Sequence, residues 1–469
     1  TLADYAVDRP ADLFDVLADA DETQFLTIFP KLSAHKDEAI RLAEQELENT
    51  IAERWSEFNK DAAARRQANA AVLLFRLGRA VKVWPLLKFT PSPRVRTYII
   101  HRLSPLGADP HLIVERFGTE TDVAIRRALV FALGEFTDKL SDAERASLTD
   151  MLLDIHEHHA DAGLHGASEW LLRKWGHAER IQAIVEKLRA EDGDSAARHG
   201  KDGRQWYVNS QGQTFTVIEA GEFVAGAPAS EPSRNATMLQ YRRAINRRFA
   251  IATTEVTRAQ YTQFNPLANA IDLKNLKRPS DAAQGAITWF EAAAYCNWLS
   301  EQERIPQSQW CYTPNDRGEY GQGMKLKPNY VELQGYRLAT EWEWEFACRA
   351  GTTTARYYGM AGELLPKYAW TAATRQSYSA PVGGLMPNDF GLFDMMGNAS
   401  EWCNERFANF DPNSQQGEDE VGTAQQDKRV ARGGAYYSQP AQVRSAYRGS
   451  YFPAQRSDSL GIRLVRTCP

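Results

Sequence analysis

RVARGGAYYSQPAQVRSAYRG, residues 429–449, enters a tight turn at Gly433-Gly434 and leaves it carrying aromatic and basic side chains. Paired glycines suit backbone conformations that a Cβ resists. Tyr436 and Tyr437 follow at once, and cations recur at Arg444 and Arg448. Nothing in the stretch is a ready nucleophile, metal ligand or general base. The segment therefore poses a choice between a groove that reacts and a groove that only binds.

Its surroundings share one grammar. Eight of the twelve tryptophans lie beyond Gly200, among frequent glycines and prolines. Only two helices are convincing there, TWFEAAAYCNWLSEQ (288–302) and TEWEWEFACRA (340–350). Thr340 followed by Glu343 forms a capping box that marks the start of the second. Short strands such as FTVIEAGEFVAG (215–226) and FAIATTEVT (249–257) alternate with long loops, so large rigid side chains must build the core.

Residues 1–187 read as successive helices. AVLLFRL, YIIHRLSPL, IRRALVFAL and WLLRKW are followed by Gly78, Gly107, Gly134 and Gly176, each a candidate C-terminal stop. Arg94-Val95-Arg96 is echoed by Ile125-Arg126-Arg127, and LTDMLLDIHEHH (148–159) adds a further helix. The pattern resembles an array of HEAT-like helical repeats, with a non-repetitive bundle as the other reading. Residues 188–204 (LRAEDGDSAARHGKDGR) lack apolar periodicity and are expected to be a linker ahead of a 205–469 domain.

Composition narrows the function. The chain has 469 residues, 43% hydrophobic and 25% charged, with a net charge of -5, which points to neither nucleic acid nor an anionic membrane. No apolar run reaches bilayer length. Five scattered cysteines, without CxxC spacing, argue for buried thiols in a reducing, cytoplasmic compartment. The sequence starts at Thr1 and is read as a processed product or a piece of something larger.

FAIATTEVTRAQYTQF, AITWFEAAAYCNWLS, YRLATEWEWEFACRAGT, FGLFDMMGNASEW and RVARGGAYY…RSAYR…LGIRLVRT occur in this order. Together they resemble the formylglycine-generating-enzyme (sulfatase-modifying-factor) domain, a variant of the C-type lectin fold. The fold class is thus multidomain: all-α HEAT-like repeats followed by an α+β formylglycine-generating-enzyme-type lectin fold. The resemblance implies oxidation of a peptide cysteine by Cu(I) held between two cysteines placed shortly after the Gly-Gly. Aligned on Gly433-Gly434, those positions are Ser438 and Val443, neither of which binds cuprous ion. No copper and no catalytic residue are therefore expected. A related branch, the sulfoxide synthases, uses iron on a His-xxx-His-x-Glu set. His156, His158 and His159 radiate round a helix, and His158 with His165 makes a poor iron site, so this cluster is read as a solvated helix end.

Calcium is the metal the resemblance does imply, with Asp394 and Glu401 supplying carboxylates and Gly397 and Ala399 carbonyls. Glu401 serves equally as a cap on loop N–H groups in the alternative reading. For the groove, the candidate ligand-binding residues are Tyr436, Tyr437, Ser438, Gln442, Arg444, Tyr447, Tyr451, Phe452, Arg456 and Asp458. Tyrosine and arginine concentrate interface energy, although Arg444, Arg448 and Arg463 also read as structural cations satisfying loop carbonyls. The acidic stretch 406–428 reads as a flap beside the groove or a solvated insertion. The expectation is a non-catalytic recognition protein that binds a protein or peptide, resembling the C-terminal regions of larger bacterial signalling or defence proteins. The alternative is a metal-dependent oxidase.

Overall fold

The computed structural model describes residues 8–192, 203–268, 278–374, 377–408 and 427–468. Much of the expected linker (193–202) and of the expected flap (409–426) lies outside the described residues. Two compact units emerge, one of Thr1–Leu152 with Thr352–Thr354 and Tyr358–Ala361, the other of the remaining chain.

The first unit is helical: α1 (Pro10–Asp19), α2 (Glu22–Ser33), α3 (Lys36–Glu48), α4 (Glu57–Arg76), α5 (Arg94–Leu103), α6 (Pro110–Thr119) and α7 (Val123–Glu135). Short polar residues start several of them. Asp21 forms a capping box with Gln24, and Asp122 accepts from the N–H groups of Ala124 and Ile125. Asn69, wholly buried on α4, donates to the carbonyls of Leu17, Ala18 and Ala20 at 2.9–3.1 Å. It thereby satisfies the orphan C-terminal end of α1 from a neighbouring helix. Gly78, Gly107 and Gly176 adopt φ of 81°, 78° and 84°, the left-handed conformation of a helix stop. Gly134 behaves differently: it lies inside α7, and the chain leaves the helix only at Phe136.

By compactness the second unit starts at Leu153, within α8 (Asp142–His158), and includes α9 (Ala162–Lys174) and α10 (Ala178–Asp192). The change of sequence grammar at 188–204 falls later because α9 and α10 pack on the strands that follow. Ala162 and Leu188 share one apolar cluster with Trp206 and Val208. α9 also meets the 391 loop closely: a Cβ on Gly166 would stand 2.7 Å from the Gly391 Cα.

The strands are β1 (Trp206–Val208), β2 (Thr214–Ile218), β3 (Gly221–Ala225), β4 (Tyr241–Ile245), β5 (Phe249–Ala252), β6 (Tyr312–Thr313), β7 (Lys325–Leu326), β8 (Arg337–Leu338), β9 (Ser400–Arg406), β10 (Arg429–Arg432), β11 (Gly449–Tyr451), β12 (Leu460–Gly461) and β13 (Leu464–Thr467). They form a five-stranded sheet β1-β2-β5-β13-β8, a four-stranded sheet β11-β10-β9-β12 and two hairpins, β3-β4 and β6-β7. The single strand expected at 215–226 is therefore two strands in different sheets, broken at Glu219-Ala220. Between the sheets run α11 (Arg258–Phe264), α12 (Trp289–Gln302) and α13 (Glu341–Arg349), with capping boxes at Thr257, Thr288 and Thr340.

Every residue of α13 is buried. Its three glutamates endure this because each meets a guanidinium. Glu341 holds Arg448 at 2.7 and 3.0 Å, Glu343 holds Arg337 at 2.6 and 2.7 Å, and Glu345 holds Arg349 at 2.8 Å and Arg432. Burial alone would raise the Glu343 carboxyl, but Arg337 and Arg247 hold it down to about 2. Alternating with them, Trp344 is wholly buried, its indole directed at Glu401. Two of these pairings, through Arg432 and Arg448, fasten the 429–449 segment to α13.

Candidate binding groove

The 429–449 segment leaves β10 through Gly433 and Gly434, at φ of 89° and 74°. A Cβ on Gly433 would approach the Met395 carbonyl oxygen and the Trp344 ring to 3.3 Å. On Gly434 it would meet Val443 Cγ2 at 3.2 Å and Ser438 Cβ at 3.4 Å. Ser438 and Val443 thus both pack close to Gly434. Both are buried, and the Ser438 hydroxyl accepts from the Ala435 N–H at 2.9 Å. The five cysteines lie elsewhere, all buried and unpaired. Burial pushes the thiols of Cys311 and Cys348 up to about 12 and that of Cys468 up to about 11.

Next to the turn lies the 394–401 loop. Gly397 donates to the Gly433 carbonyl and Tyr436 to the Asn398 carbonyl, both at 2.9 Å. Glu401 spends its carboxylate inward: Arg463 reaches Oε1 at 2.7 and 2.9 Å, and the Trp344 indole N–H reaches Oε2 at 2.5 Å. Arg463 also donates to the carbonyls of Ala252 and Phe393. A calcium ion there would have to share Glu401 with a buried guanidinium, so Asp394, Gly397, Ala399 and Glu401 do not fit a calcium shell as they stand. Glu401 is not a simple cap of loop N–H groups either, since Arg463 and Trp344 take its oxygens. Asp394, left-handed at φ 54°, accepts from the Gly383 N–H at 2.7 Å through Oδ2, while its Oδ1 has no partner. Burial, together with the nearby Glu401, lifts its carboxyl to about 6 against the restraint of that N–H and of Arg463. Glu255, which sequence reading passed over, is also buried here and raised by burial and by Asp394.

The ten groove candidates divide by exposure. Tyr437 and Phe452 are about half exposed, at 50% and 46%. Tyr437 stands edge-on to Tyr436 at 5.4 Å, and its hydroxyl accepts from Ser459 at 3.1 Å. Tyr451 is half-buried against Trp402 at 5.9 Å, and the Lys428 ammonium lies 5.1 Å over the Phe452 ring. Exposed Arg456 pairs with Glu291, and half-buried Asp458 takes Arg278 at 2.9 Å. Gln442 donates to the Tyr447 hydroxyl at 3.1 Å. Arg444 and Ser438 face inward; Arg444 is spent on Glu231 at 2.8 Å and on the carbonyls of Pro232 and Ser233. The outward surface is therefore an aromatic patch of Tyr437, Phe452 and the edges of Tyr436 and Tyr451, rimmed by Arg456 and Asp458. Its partners Ser459 and Arg278 carried no signal in the sequence.

The helix end carrying the histidines departs from expectation. His158 is exposed, as a solvated end requires, but His156 and His165 are buried and stack at 4.2 Å.

Comparison with known proteins adds the following. The family described as sulfatase-modifying factor enzyme 1-like domain matches residues 203–468. The chaperone protein LppX of Paenibacillus barcinonensis is 26% identical over 275 residues, covering 54% of this chain and 89% of that protein. The formylglycine-generating enzyme of Streptomyces coelicolor is 33% identical over 152 residues, 29% of this chain and 48% of the enzyme, so the match spans about half the enzyme's length. Among solved structures, Treponema denticola variable protein 1 matches 54% of this chain and 95% of its own, at 24% identity and a TM-score of 0.47.

Proposed function

The chain belongs to the sulfatase-modifying factor enzyme 1-like domain family, and from that premise we propose that it is a non-catalytic recognition protein whose lectin-fold groove binds a protein or peptide. One observation carries the reading. Where the family resemblance calls for two cysteines, the side chains beside Gly434 are Ser438 and Val443, a hydroxyl already bonded to backbone and an isopropyl group. Neither offers cuprous ion a soft donor. Beside them the chain presents Tyr437 and Phe452 to solvent, side chains with large apolar area and little rotamer entropy to lose.

The helical first unit would act as a HEAT-like scaffold, within a bacterial signalling or defence assembly. The buried, unpaired thiols support a reducing, cytoplasmic setting. No helix among the described residues is long and apolar enough to cross a membrane.

The experiment is affinity capture with the full chain beside Tyr437→Arg and Phe452→Asp variants. A groove hot spot predicts that each variant weakens the captured complex by at least about 30-fold, some 2 kcal/mol, with unchanged thermal unfolding. Equal capture by all three chains would move the binding surface off the groove. Conversion of a cysteine-containing peptide to an aldehyde by the copper-loaded wild type would establish the oxidase reading in its place.

A further inference from the structure

We propose that His156, His165 and Glu169 form a binding site for a first-row divalent cation, with zinc the best match. The site stands apart from the groove and is independent of the reading given to it.

His156 closes α8, while His165 and Glu169 lie one turn apart on the same face of α9. Their ligand atoms all fall within 4.8 Å of one another, and all three side chains are buried. His165 Nδ1 donates to the His156 carbonyl oxygen at 2.6 Å, which fixes the tautomer and leaves Nε2 as a bare lone pair. That Nε2 has no partner, and neither ring nitrogen of His156 has one. Buried polar atoms ordinarily find partners, so three unpartnered nitrogens in one pocket point to a missing one. The carbonyl bond on the far nitrogen of His165 is also the outer restraint that orients metal-bound imidazoles. Glu169 is oriented likewise, its Oε1 held by Arg173 at 2.7 and 2.8 Å. Burial depresses both histidines.

The donor set selects the ion. Two imidazoles and one carboxylate suit zinc with a fourth position for water; calcium and magnesium prefer all-oxygen shells, and cuprous ion prefers thiolates. The surroundings are aromatic, with His165 stacked between His156 and Trp206, at 4.2 and 3.8 Å. The Trp206 indole N–H donates to the His159 carbonyl at 2.8 Å, so Trp206 is a fixed wall. As stacked, the two rings direct their lone pairs side by side. Loading therefore requires one ring to turn, and His156, which no side-chain hydrogen bond restrains, is the one that moves.

The test uses the full chain, stripped of metal by unfolding in chelator and refolded with or without Zn2+ alone, then desalted for metal analysis. A second portion of folded protein is incubated with Zn2+ directly, and Co2+ replaces it for visible absorption. The expected result is about one Zn2+ per chain, a four-coordinate Co2+ spectrum and a higher Tm for the loaded chain. Glu169→Gln and His156→Gln should each weaken binding by more than about 100-fold, beyond the 10- to 100-fold of losing an outer restraint. His156→Gln has no native hydrogen bond to lose, so it reports even if His165→Gln fails to fold. His111, exposed between Asp109 and Glu144, is the control: His111→Gln should change nothing. Less than about a tenth of an equivalent by both routes, equal binding in His156→Gln, or loss of zinc in His111→Gln would overturn the assignment and leave the stacked histidines as core packing alone.

Discussion

Asp394→Asn offers a sharp test of the acidic centre beneath the groove. Buried Asp394 has its carboxyl lifted from the ordinary 3.8 to about 6, chiefly by burial. A raised carboxyl means that the folded chain binds the proton more tightly than the unfolded one. Its contribution is fully present below pH 3.8 and is lost as pH rises through 6. At about 1.4 kcal/mol per tenfold change in proton affinity, the penalty at pH 7.5 is at most about 3 kcal/mol. Coupling to Glu255 and relaxation around the site reduce that to about 1–3 kcal/mol. Asparagine keeps the acceptor for the Gly383 N–H and is among the residues most tolerant of φ 54°. The variant should therefore unfold at higher urea at pH 7.5, match the wild type near pH 4, and show a flatter profile between. Near-UV circular dichroism of the buried tryptophans reports the transition. The reasoning also separates charge from calcium: if Asp394 ligated Ca2+, the variant would be weaker at pH 7.5 and millimolar Ca2+ would raise the wild-type Tm. Destabilisation of the variant with a calcium-dependent wild type would refute the account.

Two further outcomes follow from packing. Gly391→Ala places a Cβ 2.3 Å from the Ala162 carbonyl oxygen at φ 74°, so it should cost about 2–4 kcal/mol by urea unfolding, whereas Gly318→Ala, also left-handed but facing open space, should cost about 1 kcal/mol. All five thiols should stay unreactive toward a disulfide reagent in the native chain and react fully in denaturant; a fast native equivalent would show that one of the buried cysteines becomes accessible.

What the sequence discloses depends on how far apart the interacting groups lie. The capping box at Thr340 spans three residues, and its helix begins where that signal places it; Thr288 caps the other helix in the same way. Gly78, Gly107 and Gly176 stop their helices for equally local reasons, yet Gly134 looked the same and sits inside α7, one residue before the helix ends at Glu135. The partners that decide the groove are remote. Arg463 meets Glu401 across 62 positions, and Arg444 meets Glu231 across 213. No periodicity encodes such a pairing; the sequence leaves Arg444 open between a ligand-facing cation and a structural one, and the fold uses it structurally. His156 and His165 are nine apart on different helices, and helical periodicity brings neither to the other; the turn between α8 and α9 does.

The same distinction separates what holds the 429–449 turn from what fills it. Glycine conformation at 433–434 and the α13 ion pairs are demands of the backbone and of buried charge, and they hold the loop whatever residues occupy 438 and 443. Ser438 satisfies the Ala435 N–H and Val443 is wholly buried, so both positions do structural work in the turn. Reactivity at this turn is thus separable from its architecture. Under the recognition reading proposed above, the half-exposed ring of Tyr437 is the outward-facing contact beside this turn, and its substitution is the change that separates binding from fold.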